Sequence, residues 1–150
     1  MMKMNNNNGT IVLQAEALQL SVYCKIIKDI LIKYRNMSII KLIVFSFIIK
    51  KHESLQVECF SSKNSTDLVL KALTQIAGRY DELTSQLPYI FQAIDLLIKN
   101  GICDLHTTEV MCLLPESATH QLMKGFIYSA IEESKSYTDR QFLREVISIV

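Results

Sequence analysis

An apolar stripe in the second half of the chain predicts a helix that leads directly into a β-hairpin. Apolar residues recur every three or four positions, the spacing of one helix face, at Leu87, Ile90, Phe91, Ile94, Leu97 and Ile98. Pro88 fits a first helical turn, and Gly101 can adopt the left-handed conformation that ends a helix. Two short β-prone runs, 102–105 and 110–114, then flank a polar turn at 106–109. This pattern predicts a hairpin, and a helix followed by a hairpin forms the second half of a winged helix.

The most apolar run of the chain, residues 39–49, predicts the first core helix of such a fold, with Ser38 as a candidate N-cap. A membrane-spanning helix needs about 20 apolar residues, whereas this run is shorter and contains Lys41. A β-strand is the alternative interpretation, because β-branched and aromatic residues dominate the run.

Two segments between this run and the hairpin complete the predicted core. Apolar and polar residues alternate over 55–60, which predicts a short strand able to pair with the hairpin. Residues 67–80 predict a helix that Gly78 weakens near its end. The predicted order is helix, strand, helix, turn, helix and hairpin. The fold class is therefore mainly α with a small β-hairpin or sheet (α+β), with a winged-helix-like core over about 38–114.

Helical extensions, 12–35 and 115–150, are expected to flank this core in a single domain over 11–150, after a flexible N-terminus at 1–10. The first extension carries a seam of heptad-like spacing, which either packs on its own domain or binds a partner chain. The second has the capping-box spacing Thr138–Gln141 and ends on apolar residues, so it is expected to dock against something. The candidate partner interface comprises Leu20, Tyr23, Ile27, Ile30, Tyr34, Phe142, Val146, Ile147 and Ile149.

Composition indicates a folded protein with a net charge close to zero. The chain of 150 residues is 49% hydrophobic and 21% charged, with a net charge of +1, so it has no bulk attraction to nucleic acid or anionic membrane. Its four cysteines show no close CxxC spacing, and the polar residues 1–9 lead us to expect no signal peptide. We therefore expect a reduced, cytoplasmic protein.

No sequence motif indicates catalysis or a cofactor. The chain lacks phosphate-binding glycine loops, nucleophile elbows and the HExxH zinc motif. A zinc site built from Cys103, His106, Cys112 and His120 would lack the short ligand spacings of structural zinc, and the two cysteines more plausibly fill the buried face of the hairpin. We expect a protein that is not an enzyme and that has no metal or cofactor.

The helix predicted from Leu87 onward, which would contact DNA in a winged helix, has few side chains suited to bind it. Its exposed side presents Gln92, Asp95, Lys99 and Asn100, and the turn at 106–109 has no lysine or arginine to contact a phosphate. Winged helices also serve as protein–protein adaptors, and this nearly neutral face fits that use better.

Two stretches carry a resemblance to a known family. One is the helix and first strand over 86–102, with Pro88, Phe91, Asp95, Lys99 and Gly101, and the other is the apolar close over 142–150. Together they resemble the middle component of bacterial three-component ABC/SMC-type systems. Within that group the chain is most similar to the small subunit of Lamassu anti-phage and anti-plasmid defence complexes.

The resemblance implies a non-catalytic adaptor that bridges the heads of an SMC-like coiled-coil ATPase to a nuclease-type effector. It implies DNA contact only as part of that complex, no membrane contact, and no catalytic residue to transfer to this chain. The alternative function is a small dimeric winged-helix transcription regulator that binds DNA and dimerises through the helix at 12–34.

Overall fold

The computed structural model describes residues 6–55, 67–116 and 125–150. These ranges contain six α-helices and a small antiparallel sheet, which confirms the predicted class of mainly α with a small β-sheet. The helices are α1 (Asn6–Tyr34), α2 (Ile39–Leu55), α3 (Leu68–Leu73), α4 (Tyr80–Lys99), α5 (Phe126–Ser134) and α6 (Asp139–Ile149). The strands are β1 (Asn36–Ser38), β2 (Cys103–His106) and β3 (Glu109–Cys112).

The hairpin forms as predicted, but the third strand comes from a different place in the chain. The sheet order is β1-β3-β2, so the short segment that follows α1 pairs with the outer side of the hairpin. The predicted strand at 55–60 is wrong at its first residue, because Leu55 ends α2, and residues 56–60 lie outside the described residues. Arg35 makes the turn into β1 with a left-handed backbone (φ 67°), and its carbonyl accepts a hydrogen bond from Cys112 N at 2.7 Å.

This strand changes which helix begins the core. The predicted order of helix, strand, helix, helix and hairpin is present. Its first helix, however, is α1 and not the helix predicted at 39–49. The second half of α1 is therefore part of the core and not an extension. Its helix also begins at Asn6, earlier than predicted, so residues 6–10 are helical. The apolar run 39–49 forms α2, and the Ser38 hydroxyl accepts from Lys41 N at 3.3 Å, as expected of an N-cap.

Helix α4 is longer than the stripe that predicted it. It begins at Tyr80, so residues 81–86 are helical rather than a connection, and Pro88 lies inside the helix. Phe91 is 48% exposed rather than buried, because the core-facing side of α4 runs through Leu83, Ile90, Ala93, Ile94 and Leu97. The predicted helix at 67–80 is divided: α3 ends at Leu73 and a 3₁₀ turn, Thr74–Ile76, precedes Gly78 at φ 68°.

The sequence signals that end α4 and that start α6 act as predicted. Gly101 is left-handed (φ 73°). Gly101 N donates to Ile98 O at 3.0 Å and Ile102 N donates to Leu97 O at 2.9 Å, the paired hydrogen bonds of a Schellman helix end. At α6, Gln141 N donates to Thr138 Oγ1 at 3.2 Å and Thr138 N donates to Gln141 Oε1 at 2.9 Å. This capping box is confirmed.

A buried lysine joins α2 to the C-terminal helices. Lys41 is 9% exposed, and its ammonium donates to Ser134 O at 2.7 Å and to Tyr137 O at 2.6 Å. Ser134 O lies at the C-terminal end of α5, where a cation is stabilised by the helix dipole, and Tyr137 O lies in the turn between α5 and α6. Burial lowers the pKa of Lys41, while Asp139 and Glu109 act in the opposite direction. On the same side, the Phe142 ring packs 5.5 Å from the Phe45 ring.

Candidate partner-binding surface

The nine residues predicted as a partner interface are mostly covered by the chain itself. Six of them are buried in its core, two are half-buried against it, and Ile147 alone of the nine is exposed, at 66%. The buried ones are Tyr23, Ile27, Ile30, Tyr34, Phe142 and Val146, and the half-buried ones are Leu20 and Ile149. Of the two alternatives for the α1 seam, the structure therefore shows packing on its own domain.

Hydrogen bonds at both ends of the seam fix this packing. The Tyr23 hydroxyl donates to Gln86 Oε1 on α4 at 2.9 Å, and the Tyr34 hydroxyl donates to Tyr128 O on α5 at 2.9 Å. Burial raises the pKa of both phenols. Since buried hydroxyls need partners, these two contacts hold α1 in one position along the body. We call residues 23–34 the lower half of α1.

The preceding residues, 8–22, form the upper half of α1 and are left uncovered. Apart from Gln19 and Leu20, every residue from 8 to 22 is exposed. The exposed set includes five large apolar side chains, with exposed fractions from 37% to 68%: Ile11, Val12, Leu13, Leu18 and Val22. Scattered exposed apolar residues are normal on a protein, whereas a contiguous apolar group on one helix is a candidate binding surface.

Three of these side chains and Ala15 form a stripe that faces away from the core. Ile11, Ala15, Leu18 and Val22 follow each other at steps of four, three and four. At 100° per residue this stripe lies roughly a third of a turn from the seam of the lower half. The next positions on the same side, Lys25 and Asp29, form an ion pair at 2.8 Å. The apolar surface therefore ends where α1 joins the body.

A polar contact marks the boundary on the side that faces the body. The Lys50 ammonium on α2 contacts Gln19 Oε1, donates to Gln86 Oε1 at 2.9 Å, and lies 4.7 Å from the centre of the Tyr23 ring. Burial, and then the neighbouring Lys51, lower the pKa of Lys50. Beyond this contact the upper half continues with a single charged residue, Glu16.

By length and composition alone, α1 is long and apolar enough to cross a membrane from Asn8 to Tyr34. Its lower half, however, is buried in the protein core. The exposed half has 15 residues, and at 1.5 Å per residue it is about 22 Å long, shorter than a hydrocarbon core of about 30 Å. Its polar side, formed by Thr10, Gln14 and Ser21, carries no lysine or arginine of the kind that interfacial helices use.

A smaller apolar surface lies on α6. Phe142 and Val146 face the core, while Ile147 and Leu143, one helical turn apart, are 66% and 39% exposed. Gly78 N donates to Ile149 O at 3.3 Å, which ties the end of the helix to the turn after α3. The expected docking of the C-terminus is thus partly satisfied within the chain, while the Ile147 side chain stays exposed.

The side of α4 that a DNA-binding winged helix would use has the expected composition. Gln92, Asp95, Lys99 and Asn100 are all exposed, and Lys99 is paired with Asp95 at 2.7 Å. The hairpin turn is tighter than predicted, since β2 continues through His106 and β3 begins at Glu109. His106 Nε2 lies 3.5 Å from an Asp104 carboxylate oxygen.

The cysteine and histidine set does not assemble at one point. Cys103 and Cys112 face each other across the hairpin, His106 lies at its tip, and His120 falls outside the described residues. Within 6–55, 67–116 and 125–150, no group of three or more histidine, cysteine or acidic side chains is arranged to hold a metal ion.

Comparisons of the chain with known protein families, with curated proteins and with solved structures gave no match. The resemblance to the SMC-associated subunits stays a prediction from the sequence. What the structure adds is the upper half of α1, which the sequence interpretation did not separate from the seam below it. The signal was present, because Ile11, Ala15, Leu18 and Val22 have the same spacing as the seam.

Proposed function

We propose that this chain is a non-catalytic adaptor subunit of an SMC-like ATPase defence complex in the cytoplasm. In this role it bridges the ATPase heads to a nuclease-type effector in anti-phage or anti-plasmid immunity. The sequence resemblance over 86–102 and 142–150 suggests the system. The exposed upper half of α1 is the observation that supports an adaptor.

The upper half suits an α-helical partner because its stripe can pack against another helix at heptad spacing. Ala15 lies between the larger Ile11 and Leu18, and a small residue among large ones lets side chains of a facing helix interdigitate. A long coiled-coil ATPase supplies helices of this kind. Ile147 and Leu143 on α6 form a second, separate contact for the effector or for the same ATPase.

The alternative, a dimeric DNA-binding regulator, is less well supported by the exposed side of α4 and the hairpin tip. The exposed cation of α4, Lys99, is paired with Asp95, and the hairpin tip offers threonines, a histidine and an acid. Phosphate contacts supply most of the affinity of such proteins for DNA. DNA contact is therefore assigned to the assembled complex.

The experiment is co-purification with the products of neighbouring genes, with the mass of the complex measured in solution. Leu18→Asp places a charge on the stripe, whereas Ser21→Asp places the same charge on the polar side of the same helix. We expect the wild type and Ser21→Asp to purify with a coiled-coil ATPase and Leu18→Asp to purify alone as a folded protein. Ile147→Asp is likewise expected to weaken assembly without unfolding the core.

Two outcomes would contradict the proposal. Normal co-purification of Leu18→Asp would remove the upper half of α1 as the contact. A lone homodimer that shifts duplex DNA, with strong dependence on salt, would favour the regulator instead.

A further inference from the structure

The base of the hairpin holds two cysteines in direct cross-strand register. Cys103 on β2 is paired with Cys112 on β3. Leu113 N donates to Ile102 O at 2.9 Å, and Cys112 N donates to Arg35 O on the β1 side. Positions 103 and 112 are therefore a non-hydrogen-bonded pair, the kind in which opposite Cα atoms approach to about 4.5 Å and side chains are closest.

This spacing matches that of a disulfide. Disulfide-bonded cysteines have Cα atoms roughly 4.4–6.8 Å apart and side chains on the same face. Residues directly opposite in an antiparallel pair share one face, and both thiols are free. Cys103 is 1% exposed, whereas Cys112 is half-buried, so a small reagent reaches Cys112 first.

We infer that Cys103 and Cys112 form a redox-responsive pair, which a low-molecular-weight disulfide such as oxidised glutathione converts into an intrachain disulfide. The Cys112 thiolate attacks the oxidant's disulfide, forms a mixed disulfide and releases one thiol. The Cys103 thiol then loses its proton and attacks the Cys112 sulfur, which releases the second thiol. The two cysteines together lose two electrons and two protons, and one oxidant disulfide becomes two thiols.

The surroundings of the pair determine which step is slow. Burial, and then the neighbouring Cys112 and Asp104, raise the pKa of the Cys103 thiol to about 11. Since the thiolate is the nucleophile, Cys103 is the resolving cysteine and its attack limits the rate near neutral pH. The rate of ring closure is expected to rise with pH until it approaches that pKa.

Closure would lock the hairpin to itself beside the point where α1 ends. Cys112 is the last residue of β3, the strand that pairs with β1, and its amide donates a hydrogen bond to the Arg35 carbonyl. The reduced pair leaves the base of the hairpin closed by main-chain hydrogen bonds and side-chain packing alone. The disulfide adds a covalent link that a reductant removes, and oxidation therefore slows amide exchange in β2 and β3.

The test is peptide mapping of the full chain after incubation with oxidised glutathione. Trypsin cleaves after Lys99 and Lys124, so both cysteines fall in one peptide, 100–124. We expect this peptide to lose two hydrogens in mass. Cleavage after Glu109 should then leave two fragments that remain joined until they are reduced. Cys112→Ser is expected to abolish the link.

Cys24→Ser is the matched control, because the Cys24 thiol contacts Ala93 O on α4 and lies outside the hairpin. This variant should form the 103–112 link at the wild-type rate. The inference fails if the wild-type peptide keeps both thiols, stops at the mixed disulfide, or links either cysteine to another position or another chain. The result of this experiment is independent of the proposed function, since no partner protein enters it.

Discussion

The two halves of α1 have the same kind of apolar pattern and opposite surroundings. In the lower half, Tyr23, Ile27 and Ile30 are fully buried against the chain's own helices, whereas in the upper half Leu18 is 68% exposed and Ile11 62% exposed. Both sets recur at steps of three and four. Periodicity therefore shows that each half of α1 has an apolar face. Only the three-dimensional arrangement shows whether other parts of the chain pack against that face.

The difference arises because the body ends before the helix does. Lys50, Gln86 and Gln19 form a polar contact at the level where the seam stops being covered. Above that level, continuous helix hydrogen bonding maintains α1 while its side chains face solvent. Isolated helices of this length are marginal in water, so the upper half gains stability when another surface covers it.

The largest expected effect tests this contrast within one helix. Ile30→Ala removes a fully buried side chain and should lower the free energy of unfolding by about 3–4 kcal/mol. Leu18→Ala in the upper half should change it by less than about 0.5 kcal/mol. Urea denaturation of both variants measures the difference, and equal losses would contradict the division of α1 into two halves.

The second effect extends the contrast to lysines. Lys41→Met removes the only charged donor to Ser134 O and Tyr137 O, and Ser134 O keeps only the Tyr137 amide as a donor. The change should cost about 2–3 kcal/mol, because these acceptors lose a charged partner. Lys99→Met breaks only the exposed pair with Asp95 and should cost less than about 0.5 kcal/mol. Thermal denaturation compares the two, and a neutral Lys41→Met would show that its bonds do not hold α5 to α2.

The third effect concerns pH and the covered side of the hairpin. An unfolded Cys103 thiol ionises near pH 9.0, whereas the folded one keeps its proton up to a pKa of about 11. The folded state binds more protons between these values, so the free energy of unfolding falls as pH rises from 9 to 11. The fall due to this thiol should be about 1–2 kcal/mol. Under reducing conditions Cys103→Ala should show a shallower fall, and an unchanged slope would contradict the burial of the thiol.

The smallest effect lies at the boundary itself. Lys50→Met removes the hydrogen bonds to Gln19 and Gln86 and should lower the free energy of unfolding by about 1 kcal/mol or less. In this variant, amide exchange is expected to quicken next to residue 19, in the upper half of α1, and to stay slow from residue 23 onward. Faster exchange throughout the lower half would mean that the tyrosine hydrogen bonds do not hold it independently.

Features decided by nearby residues were predictable from the sequence. The capping box of Thr138 and Gln141, the left-handed Gly101 and the hairpin around 106–109 all depend on local backbone chemistry. These predictions are confirmed by the structure. Ser38 and the helical character of 39–49 belong to the same group, since the N-cap and the length of the run are local signals.

Features decided by distant contacts were not predictable in this way. The strand β1 has three residues and no alternating pattern, and it exists because Met37 pairs with Val110 far along the chain. The start of α4 at Tyr80 depends on Leu83 reaching the core, which the stripe from Leu87 did not include. The predicted partner interface included four residues of the lower half of α1, Tyr23, Ile27, Ile30 and Tyr34, for the same reason, because spacing alone does not show where the body ends.

Hydrogen–deuterium exchange of the proposed complex tests most directly whether the upper half of α1 is a binding surface. Residues 8–22 should exchange rapidly in the isolated chain and become protected in the proposed complex with a coiled-coil ATPase. The lower half should be slow in both states. Protection that appears elsewhere in the complex while residues 8–22 keep exchanging rapidly would contradict the claim.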